Sequence, residues 1–315
     1  MKVTVLIPAR DEAAAIGAVV EGVRAVLPEA EVVVVDDGST DATASAAREA
    51  GAYVISHPYP MGNGAAIKTG ARAAGGDVLV MMDGDGQHDP AEAPRLLEAL
   101  DGGYDMVVGA RSASAQASIW RRIANALYNR LASYMTGHPV QDLTSGFRAV
   151  RASKFREFLH LLPNGFSYPT TITMAFFRAG YPVAFVPVRV AGRAPGSRSH
   201  IRPLRDGARF LLIIFRVATL YSPLKIFAPL AGILFAAAWL YYGYTYATMH
   251  RFTNMSAALL VTSVVVFLMG LISEQITMLL YRGREEGRHG PEAAPPTAAG
   301  SASPESRPDG GGPGR

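Results

Sequence analysis

Two adjacent segments without charged side chains constrain this 315-residue chain more than any other feature. Residues 226–249 and 252–273 contain no Asp, Glu, Lys, Arg or His, and only His250 and Arg251 separate them. A helix of about 20 residues crosses the roughly 30 Å hydrocarbon core of a bilayer. We therefore predict two membrane-spanning helices within residues 224–282. Two buried core helices are the alternative, and the close succession of the segments disfavours it.

Basic residues flank these segments unevenly. They are Arg202, Arg205, Arg209, Arg216 and Lys225 before the first segment, and Arg282, Arg284 and Arg288 after the second. The loop between the segments offers only Arg251 and a His. Because Lys and Arg accumulate on the cytoplasmic side, both termini and the N-terminal domain are predicted to be cytoplasmic, in a bacterial inner membrane or an equivalent bilayer.

Two further segments differ in composition from the rest of the chain. Residues 201–223 combine spaced Arg side chains with the apolar run 210–215, which predicts an amphipathic helix at the membrane interface. An ordinary surface helix is the alternative. Residues 283–315 are rich in Gly, Pro, Ala and Ser and are predicted to be disordered. The chain has no Cys, which excludes disulfides and thiolate metal sites.

The N-terminal domain, predicted over residues 1–200, alternates short apolar runs with helical patterns. The predicted strands are 3–8, 31–36, 52–55, 77–82 and 105–108, and the predicted helices are 13–26, 42–50, 65–74 and 90–100. Alternation of this kind predicts an α/β fold with a mostly parallel sheet. Ligands of such sheets bind beyond the carboxyl ends of the strands, and the polar motifs of this chain fall there.

The first motif is VVVVDDGSTDAT, residues 32–43. The residues Ser39, Thr40 and Asp41 are explained as helix caps. Asp36 and Asp37 are not, because charges at the end of a buried strand are costly unless they are paired. A carboxylate at this position can accept hydrogen bonds from a nucleobase or a ribose.

The second motif is MMDGDGQHD, residues 81–89. Asp83 and Asp85 would repel each other unless a cation lies between them, and Gln87 adds a further oxygen. Mg²⁺ or Mn²⁺ suits such ligands and would also bridge a diphosphate. A calcium loop would need Glu at its twelfth position, where this chain has Pro94. A plain Asp-Gly turn remains an alternative.

The third motif is GNGAAIKTG, residues 62–70. It looks like a phosphate cradle that contains Lys68, but it lacks the P-loop spacing. A helix start with close packing is the alternative role of its glycines.

Six segments together resemble family 2 glycosyltransferases. They are PARDEA (8–13), VDDGSTDAT (35–43), GNGAAIKTG (62–70), DGDGQHDP (83–90), GAR (109–111) and DLTSGFRAVR (142–151). The resemblance is closest to the polyprenyl-phosphate branch, which includes dolichyl-phosphate mannose synthases and bacterial undecaprenyl-phosphate sugar transferases. It implies a Rossmann-like GT-A fold, an inverting mechanism and a divalent metal, Mg²⁺ or Mn²⁺.

The resemblance also implies roles for individual residues. The nucleoside would be held by Pro8, Ala9, Glu12 and Asp37, and the metal by Asp85 and Gln87, with Asp83 against ribose or metal. The lipid phosphate would be received by Arg111 and Arg130, with Arg148 in the family's SGFR segment. A basic, mobile loop that closes on the donor diphosphate would contain Arg193, Arg198, Ser199 and His200. Asp142 would either orient the acceptor or act as a base, or it would cap the turn into Thr144.

The predicted function is therefore transfer of a single sugar from a UDP- or GDP-sugar to a polyprenyl phosphate at a cytoplasmic membrane face. The expected partners are the nucleotide-sugar, the polyprenyl phosphate and the lipid bilayer, without nucleic acid, and a homo-oligomer is left open. A processive polysaccharide synthase and a non-catalytic membrane scaffold are the alternatives. The QxxRW motif of synthases is only mimicked by residues 116–120, which lack its Arg and precede Asp142. Residues 166–173 carry no carboxylate, which puts a mannose assignment in doubt.

Overall fold

The computed structural model of the protein describes residues 1–111, 119–165, 168–189, 219 and 221–282, without the side chains of 119–125 and 280–282. Its strands are β1 (Val3–Ala9), β2 (Glu31–Asp36), β3 (Tyr53–Ser56), β4 (Val78–Met81), β5 (Met106–Arg111), β6 (Arg148–Arg151) and β7 (Val183–Val188). Its helices are α1 (Ile16–Val26), α2 (Thr43–Glu49), α3 (Asn63–Ala73), α4 (Ala93–Asp101), α5 (Ile119–Thr136), α6 (Ala152–Glu157), α7 (Tyr168–Arg178), α8 (Leu224–Met249) and α9 (Asn254–Arg282).

The seven strands form one sheet in the order β3-β2-β1-β4-β6-β5-β7. All neighbouring pairs are parallel except those of β6, which runs antiparallel to both β4 and β5. The predicted mostly parallel α/β sheet is thus confirmed. The antiparallel strand was not predicted, because its four residues RAVR carry an Arg at each end.

Helices cover the sheet on both faces because successive side chains of a strand point to opposite sides. Val5 and Ile7 of β1 are buried in one core cluster with residues of α1 and α4. Leu6, which lies between them, meets α3 at Gly70, where an added Cβ would lie 2.0 Å from the Leu6 Cδ1 atom. The buried run Val32–Val35 of β2 is explained in the same way, since neither of its faces meets water.

The helices α8 and α9 are long and apolar enough to cross a membrane, with mean hydropathy of 1.7 and 2.4 in their most apolar windows. Only 11% and 17% of those windows are buried within the protein, so these are not core helices. Leu240 and Leu279 are 77% and 69% exposed, for example. Apolar side chains on all sides are typical of helices in lipid.

Most buried residues of the two helices are small and recur every seven positions. They are Ala231, Ala238 and Thr245 on α8, and Ser256, Ser263 and Gly270 on α9, which is also buried at Glu274 and Thr277 near its end. Small residues let helix backbones approach closely in a membrane. At Gly270 the approach leaves no room for a side chain, because an added Cβ would lie 2.5 Å from the Cβ of Phe227.

The predicted boundaries between residues 1–200, 201–223, 224–282 and 283–315 stay predictions. Most of the expected amphipathic helix at 201–223, and all of the expected disordered tail at 283–315, lie outside the described residues.

Candidate active site

The sequence motifs meet at one edge of the sheet. The last residue of β1, Ala9, pairs with the last residue of β2, Asp36. Met81, at the end of β4, pairs with Arg148 at the start of the antiparallel β6. The carboxyl ends of β1, β2 and β4 therefore lie beside the turn that precedes β6, as expected for a ligand site of a parallel sheet.

The acidic loop, residues 83–87, follows β4 and turns tightly over the end of β1. At Gly84 an added Cβ would lie 3.1 Å from the Cβ of Ala9, and Gly86 has a φ of +72°. The Asp85 carboxylate accepts a hydrogen bond from the backbone N–H of Gln87 at 3.1 Å. The ring of His88 holds the start of the loop, since the backbone N–H of Asp83 donates to its Nδ1 at 3.1 Å.

The Asp83 side chain is 39% exposed and lies against the turn at Gly146, where an added Cβ would be 3.0 Å from its carboxylate. Burial raises the pKa of Asp83, His88 opposes that shift, and the charge of Asp85 adds to it. The charge of Asp85 thus disfavours a charge on Asp83, which a divalent cation would relieve.

The donor set fits Mg²⁺ or Mn²⁺ only in part. Within the described ranges no three His, Cys, Asp or Glu side chains come together as a metal site. Asp83, Asp85 and the Gln87 amide provide hard oxygen ligands. Mg²⁺ is commonly held by one or two carboxylates together with substrate phosphates, so a metal here would take its remaining ligands from a bound diphosphate and water.

The Asp142 carboxylate and the Arg111 guanidinium form a two-pronged ion pair beside the acidic loop. Arg111 Nε donates to Asp142 Oδ2 at 2.8 Å, and Arg111 Nη2 donates to Oδ1 at 3.1 Å. The backbone N–H of Arg111 also donates to Oδ2, at 3.2 Å. The backbone N–H and the hydroxyl of Thr144 both donate to Oδ1, at 3.1 Å.

These contacts oppose a role for Asp142 as a base. Burial alone raises the pKa of Asp142, but the hydrogen bonds and charge of Arg111 outweigh it and hold the pKa below its usual value. Burial likewise lowers the pKa of Arg111, and the bonds to Asp142 reverse the shift and raise it. The geometry favours the alternative expectation, in which Asp142 caps the turn into Thr144, and it adds an anchor for Arg111.

Arg148 lies beneath the site and not at its surface. The residue is fully buried, and its guanidinium donates to the carbonyl oxygens of Ser145 and Pro169 and to the Thr173 hydroxyl. Burial lowers its pKa, while Tyr168 and the nearby carboxylates raise it. Its predicted place among the catalytic groups stays a prediction, and its described hydrogen bonds are all with the protein. It supports the turn from which Asp142 acts.

Asp37 is also occupied by the protein itself. Its Oδ1 accepts from the backbone N–H of Met61 and lies 2.8 Å from His57 Nδ1, and its Oδ2 accepts from the backbone N–H of Gly62. Burial raises the pKa of Asp37, but these hydrogen bonds outweigh it and lower the pKa. The described contacts of Asp37 anchor the loop 57–62, and its expected role at the nucleoside stays a prediction.

Three of the residues expected at the nucleoside keep positions that suit it. Pro8 and Ala9 are buried at the end of β1, and Glu12 is half-buried before α1. The backbone N–H of Glu12 donates to Thr43 Oγ1 at 2.8 Å. Asp36 is 5% exposed, and one of its oxygens accepts from the Ser39 backbone N–H at 3.0 Å. Side-chain hydrogen bonds therefore fix the backbone at this edge.

The phosphate cradle expected at the start of α3 stays a prediction, and the described contacts favour the alternative role of its glycines. The backbone N–H groups of Gly64 and Ala65 donate to the carbonyl oxygens of Gly165 and Asn164. At Gly64 an added Cβ would lie 2.0 Å from the Pro163 carbonyl oxygen. Lys68 Nζ donates to the Leu162 carbonyl oxygen at 3.2 Å and to the Asn164 side chain, so its described contacts are with the protein. The alternative expectation, close packing at a helix start, holds.

For the remaining predicted residues the structure shows less detail. Arg130 is exposed on α5. Its neighbour Asn129 ties that helix to the turn before β6, because its amide donates to the Gln141 carbonyl oxygen and accepts from the Leu143 backbone N–H at 3.1 Å. The basic loop predicted to contain Arg193, Arg198, Ser199 and His200 lies outside the described residues.

Two supporting residues, His57 and Asn129, were not predicted from the sequence as hydrogen-bond partners. Each is an ordinary polar residue whose partners lie twelve or more positions away along the chain. The segments GAR and DLT, by contrast, belong to the six that resemble one family.

Comparisons with known proteins find two matching family models and similar sequences. A family model described as Glycosyl transferase family 2 matches residues 4–159, and one described as GtrB C-terminal hairpin matches residues 222–279. The chain is 31% identical over 221 residues to the polyprenol monophosphomannose synthase of Mycolicibacterium smegmatis, which covers 63% of this chain and 82% of that protein. It is 32% identical over 213 residues to the undecaprenyl-phosphate mannosyltransferase of Micrococcus luteus, which covers 62% and 86%.

Solved structures agree on the fold. Glucosyl-3-phosphoglycerate synthase from Mycobacterium tuberculosis, in complex with Mn²⁺, uridine diphosphate and phosphoglyceric acid, has a TM-score of 0.55 and 25% identity, over 69% of this chain and 77% of that one. Another structure of the same synthase contains Mg²⁺ and uridine diphosphate. The expected GT-A fold is thereby confirmed.

Proposed function

This chain belongs to glycosyltransferase family 2, and on that premise we propose that it transfers one sugar, with inversion, from a nucleotide-sugar to a polyprenyl phosphate at a cytoplasmic membrane face. One observation carries the proposal. The acidic loop 83–87 and the Arg111–Asp142 pair lie together at one sheet edge, in a chain that also contains two apolar helices.

The donor is assigned to the acidic loop. Asp83, Asp85 and Gln87 would hold a Mg²⁺ or Mn²⁺ ion, which would neutralise the diphosphate of the donor and of the departing nucleotide. The support is the raised pKa of Asp83 beside Asp85 at the tight turn over Ala9, and the similarity to a synthase whose structures contain Mn²⁺ or Mg²⁺ with uridine diphosphate. The nucleoside is assigned to the edge formed by Pro8, Ala9 and Glu12.

The acceptor phosphate is assigned to Arg111, with Arg130 on the approach. Arg111 is 31% exposed, and Asp142 fixes it through Nε and Nη2. A phosphate monoester is largely dianionic at pH 7 and needs no strong base. Its oxygen attacks the anomeric carbon as the bond from that carbon to the diphosphate oxygen breaks, and the nucleoside diphosphate leaves with the electron pair. The protein contributes positioning and charge stabilisation.

The membrane assignment rests on the apolar helices and on the uneven basic residues around them. Relatives named for polyprenol and undecaprenyl phosphate support a lipid acceptor, with phosphate and bilayer as partners of this chain. The chain has no Cys, so single introduced cysteines report topology without background. A cysteine at His250 should react with an impermeant maleimide only from outside, and one at Glu49 only from the cytoplasmic side.

The decisive experiment offers labelled UDP- and GDP-sugars in parallel, with polyprenyl phosphate and Mg²⁺ or Mn²⁺. The wild type should form one singly glycosylated lipid, and chelation should abolish it. Asp85→Ala should reduce the rate on the order of 10²–10³-fold, as loss of a main electrostatic contribution does. Asp89→Ala is the matched control, because that exposed carboxylate only caps the turn at Ala91.

Other outcomes favour the alternatives. A ladder of products with many sugars would indicate a processive synthase. Absence of donor binding in a folded wild-type protein would indicate a scaffold. Unimpaired transfer by Asp85→Ala would remove the metal assignment.

A further inference from the structure

A single acid interrupts the apolar surface of α9 at Glu274, which is 9% exposed. It follows directly on an uncharged segment of the helix, residues 252–273. An ionisable side chain in or beside a membrane segment is costly, and such residues are commonly paired and functional. Glu274 has its partners in two other elements.

The Glu274 carboxylate joins the membrane helices to the catalytic domain. Its Oε1 lies 3.4 Å from Arg178 Nη2, at the last residue of α7. Its Oε2 accepts from the Ser222 hydroxyl at 3.3 Å and from the backbone N–H of Leu224 at 3.1 Å. Leu224 begins α8, where the backbone N–H groups lack helical partners and favour negative charge.

A second contact lies beside the first and is made by a positively charged side chain. Lys225 Nζ donates to the carbonyl oxygen of Met135, in the last turn of α5, at 2.7 Å. A cation is favoured at the C-terminal end of a helix for the same reason that an anion is favoured at the start. Apolar packing continues the contact, since Tyr221 is buried in one cluster with residues of α5 and α7. We call Arg178, Ser222, Leu224, Lys225 and Glu274 the hairpin junction.

The helix α7 connects this junction to the site. In its first half, the Pro169 carbonyl oxygen and the Thr173 hydroxyl accept from Arg148, which also binds the Ser145 carbonyl oxygen beneath the turn at Asp142. An 11-residue helix is about 16 Å long at 1.5 Å per residue. This single helix therefore links the membrane helices to the turn that anchors Arg111.

We propose that Glu274 and Arg178 are positioning residues, which hold the catalytic edge at a fixed height above the bilayer so that a phosphate on a membrane-embedded lipid reaches Arg111. The inference rests on the proposed function. Neither residue touches a substrate. Their pairing determines which acceptors are used: a long lipid, whose phosphate is confined to the headgroup plane, depends on the height of the site, whereas a short soluble prenyl phosphate diffuses to it from water.

The experiment compares these two acceptors. Wild type, Glu274→Ala, Arg178→Ala and the double variant are assayed with long polyprenyl phosphate in vesicles and with a short-chain, water-soluble prenyl phosphate. The kcat/KM for the vesicle acceptor should fall on the order of tenfold in each single variant, and no further in the double variant, because paired residues are not additive. The kcat/KM for the soluble acceptor and the KM for donor should stay within about twofold of the wild-type values, which is the scatter expected for residues that do not interact with the site.

A merely structural role makes a different prediction. Equal losses with both acceptors, additive losses in the double variant, or no loss at all would overturn the proposal. If Glu274→Ala does not fold, Glu274→Gln keeps an acceptor oxygen for Leu224 and Ser222 and should show a smaller loss of the same selectivity. Glu49→Gln, on the exposed face of α2, is the control and should change neither acceptor.

A physical readout separates this inference from the proposed function. A fluorophore on a cysteine introduced at the exposed Leu127 of α5 reports its distance from quenchers placed at known depths in the bilayer. Its quenching profile should be narrow in the wild type and broader in Glu274→Ala. An unchanged profile overturns the inference even if transfer occurs. Absence of transfer by the wild type to both acceptors would refute the proposed function, while the depth measurement still decides the role of Glu274.

Discussion

Replacement of Asp142 by Asn tests whether this carboxylate is an anchor or a base. Asp142 accepts five hydrogen bonds, from three nitrogens of Arg111 and from the backbone N–H and hydroxyl of Thr144. An Asn side chain keeps one acceptor oxygen and turns its NH₂ group toward donors. Removal of one partner of a buried ion pair costs about 3–5 kcal/mol. Since Arg111 is 31% exposed and partly hydrated, we expect the lower end, about 3 kcal/mol.

The measurement is thermal unfolding in detergent. For a domain of roughly this size, 1 kcal/mol shifts Tm by about 2–4 °C, so Asp142→Asn should melt about 6–12 °C below the wild type. Asp105→Asn is the matched control. Its pair with Arg151, at 3.4 Å, has side chains 19% and 39% exposed, and an ion pair of that exposure contributes about 0–1 kcal/mol.

The pH dependence follows from the lowered pKa of Asp142. A carboxyl group whose pKa is depressed by folding stabilises the protein above its unfolded pKa, near 3.9, and loses that contribution as the pH falls through its folded pKa. The Tm difference between wild type and variant should therefore be constant between about pH 8 and pH 5 and shrink in more acidic solution. Unchanged melting together with a rate loss of about 10²-fold or more would refute the anchor and indicate a base.

Three further predictions concern close contacts. Gly64→Ala should lower Tm, because its Cβ would lie 2.0 Å from the Pro163 carbonyl oxygen, whereas Gly17→Ala, with open space, should not; overpacking costs about 1–3 kcal/mol. Gly270→Val should loosen the contact of α8 and α9 and increase proteolysis, whereas Gly243→Val should not. Asp37→Asn should lower Tm and speed hydrogen exchange in residues 57–62, because the described contacts of Asp37 are with that loop. A KM for donor that stays within about twofold would argue against its expected role at the nucleoside.

The sequence predicts the sheet and the two long apolar helices well because both depend on local patterns. Runs such as VVVV at 32–35 leave few alternatives to a buried strand, and two uncharged segments of this length are typical of helices that can cross a membrane. The strand β6 depends instead on distant partners. Its residues RAVR become central only because β4 and β5 lie on either side of it.

The acidic residues at the sheet edge illustrate the limit for the site. The sequence places Asp36, Asp37, Asp83, Asp85 and Asp142 at one edge, and in each case the charge needs a partner. Whether that partner is a ligand or the protein depends on residues far along the chain. Asp37 finds backbone amides some 24 positions away, and Asp142 finds Arg111 at a separation of 31. The same holds for the glycines of α3, whose neighbours are the carbonyl groups of residues 163–165.

The ion pair with Asp142 also explains why Arg111 suits an acceptor phosphate. Asp142 engages Nε and Nη2 of its guanidinium, and Nη1 takes no part in those bonds. A guanidinium held on one edge has lost its rotational freedom before the acceptor arrives, so binding a phosphate costs less conformational entropy. Its raised pKa keeps it charged. A Lys at this position would have one compact ammonium group and no second edge, so it would pair with Asp142 or reach the phosphate, but not do both.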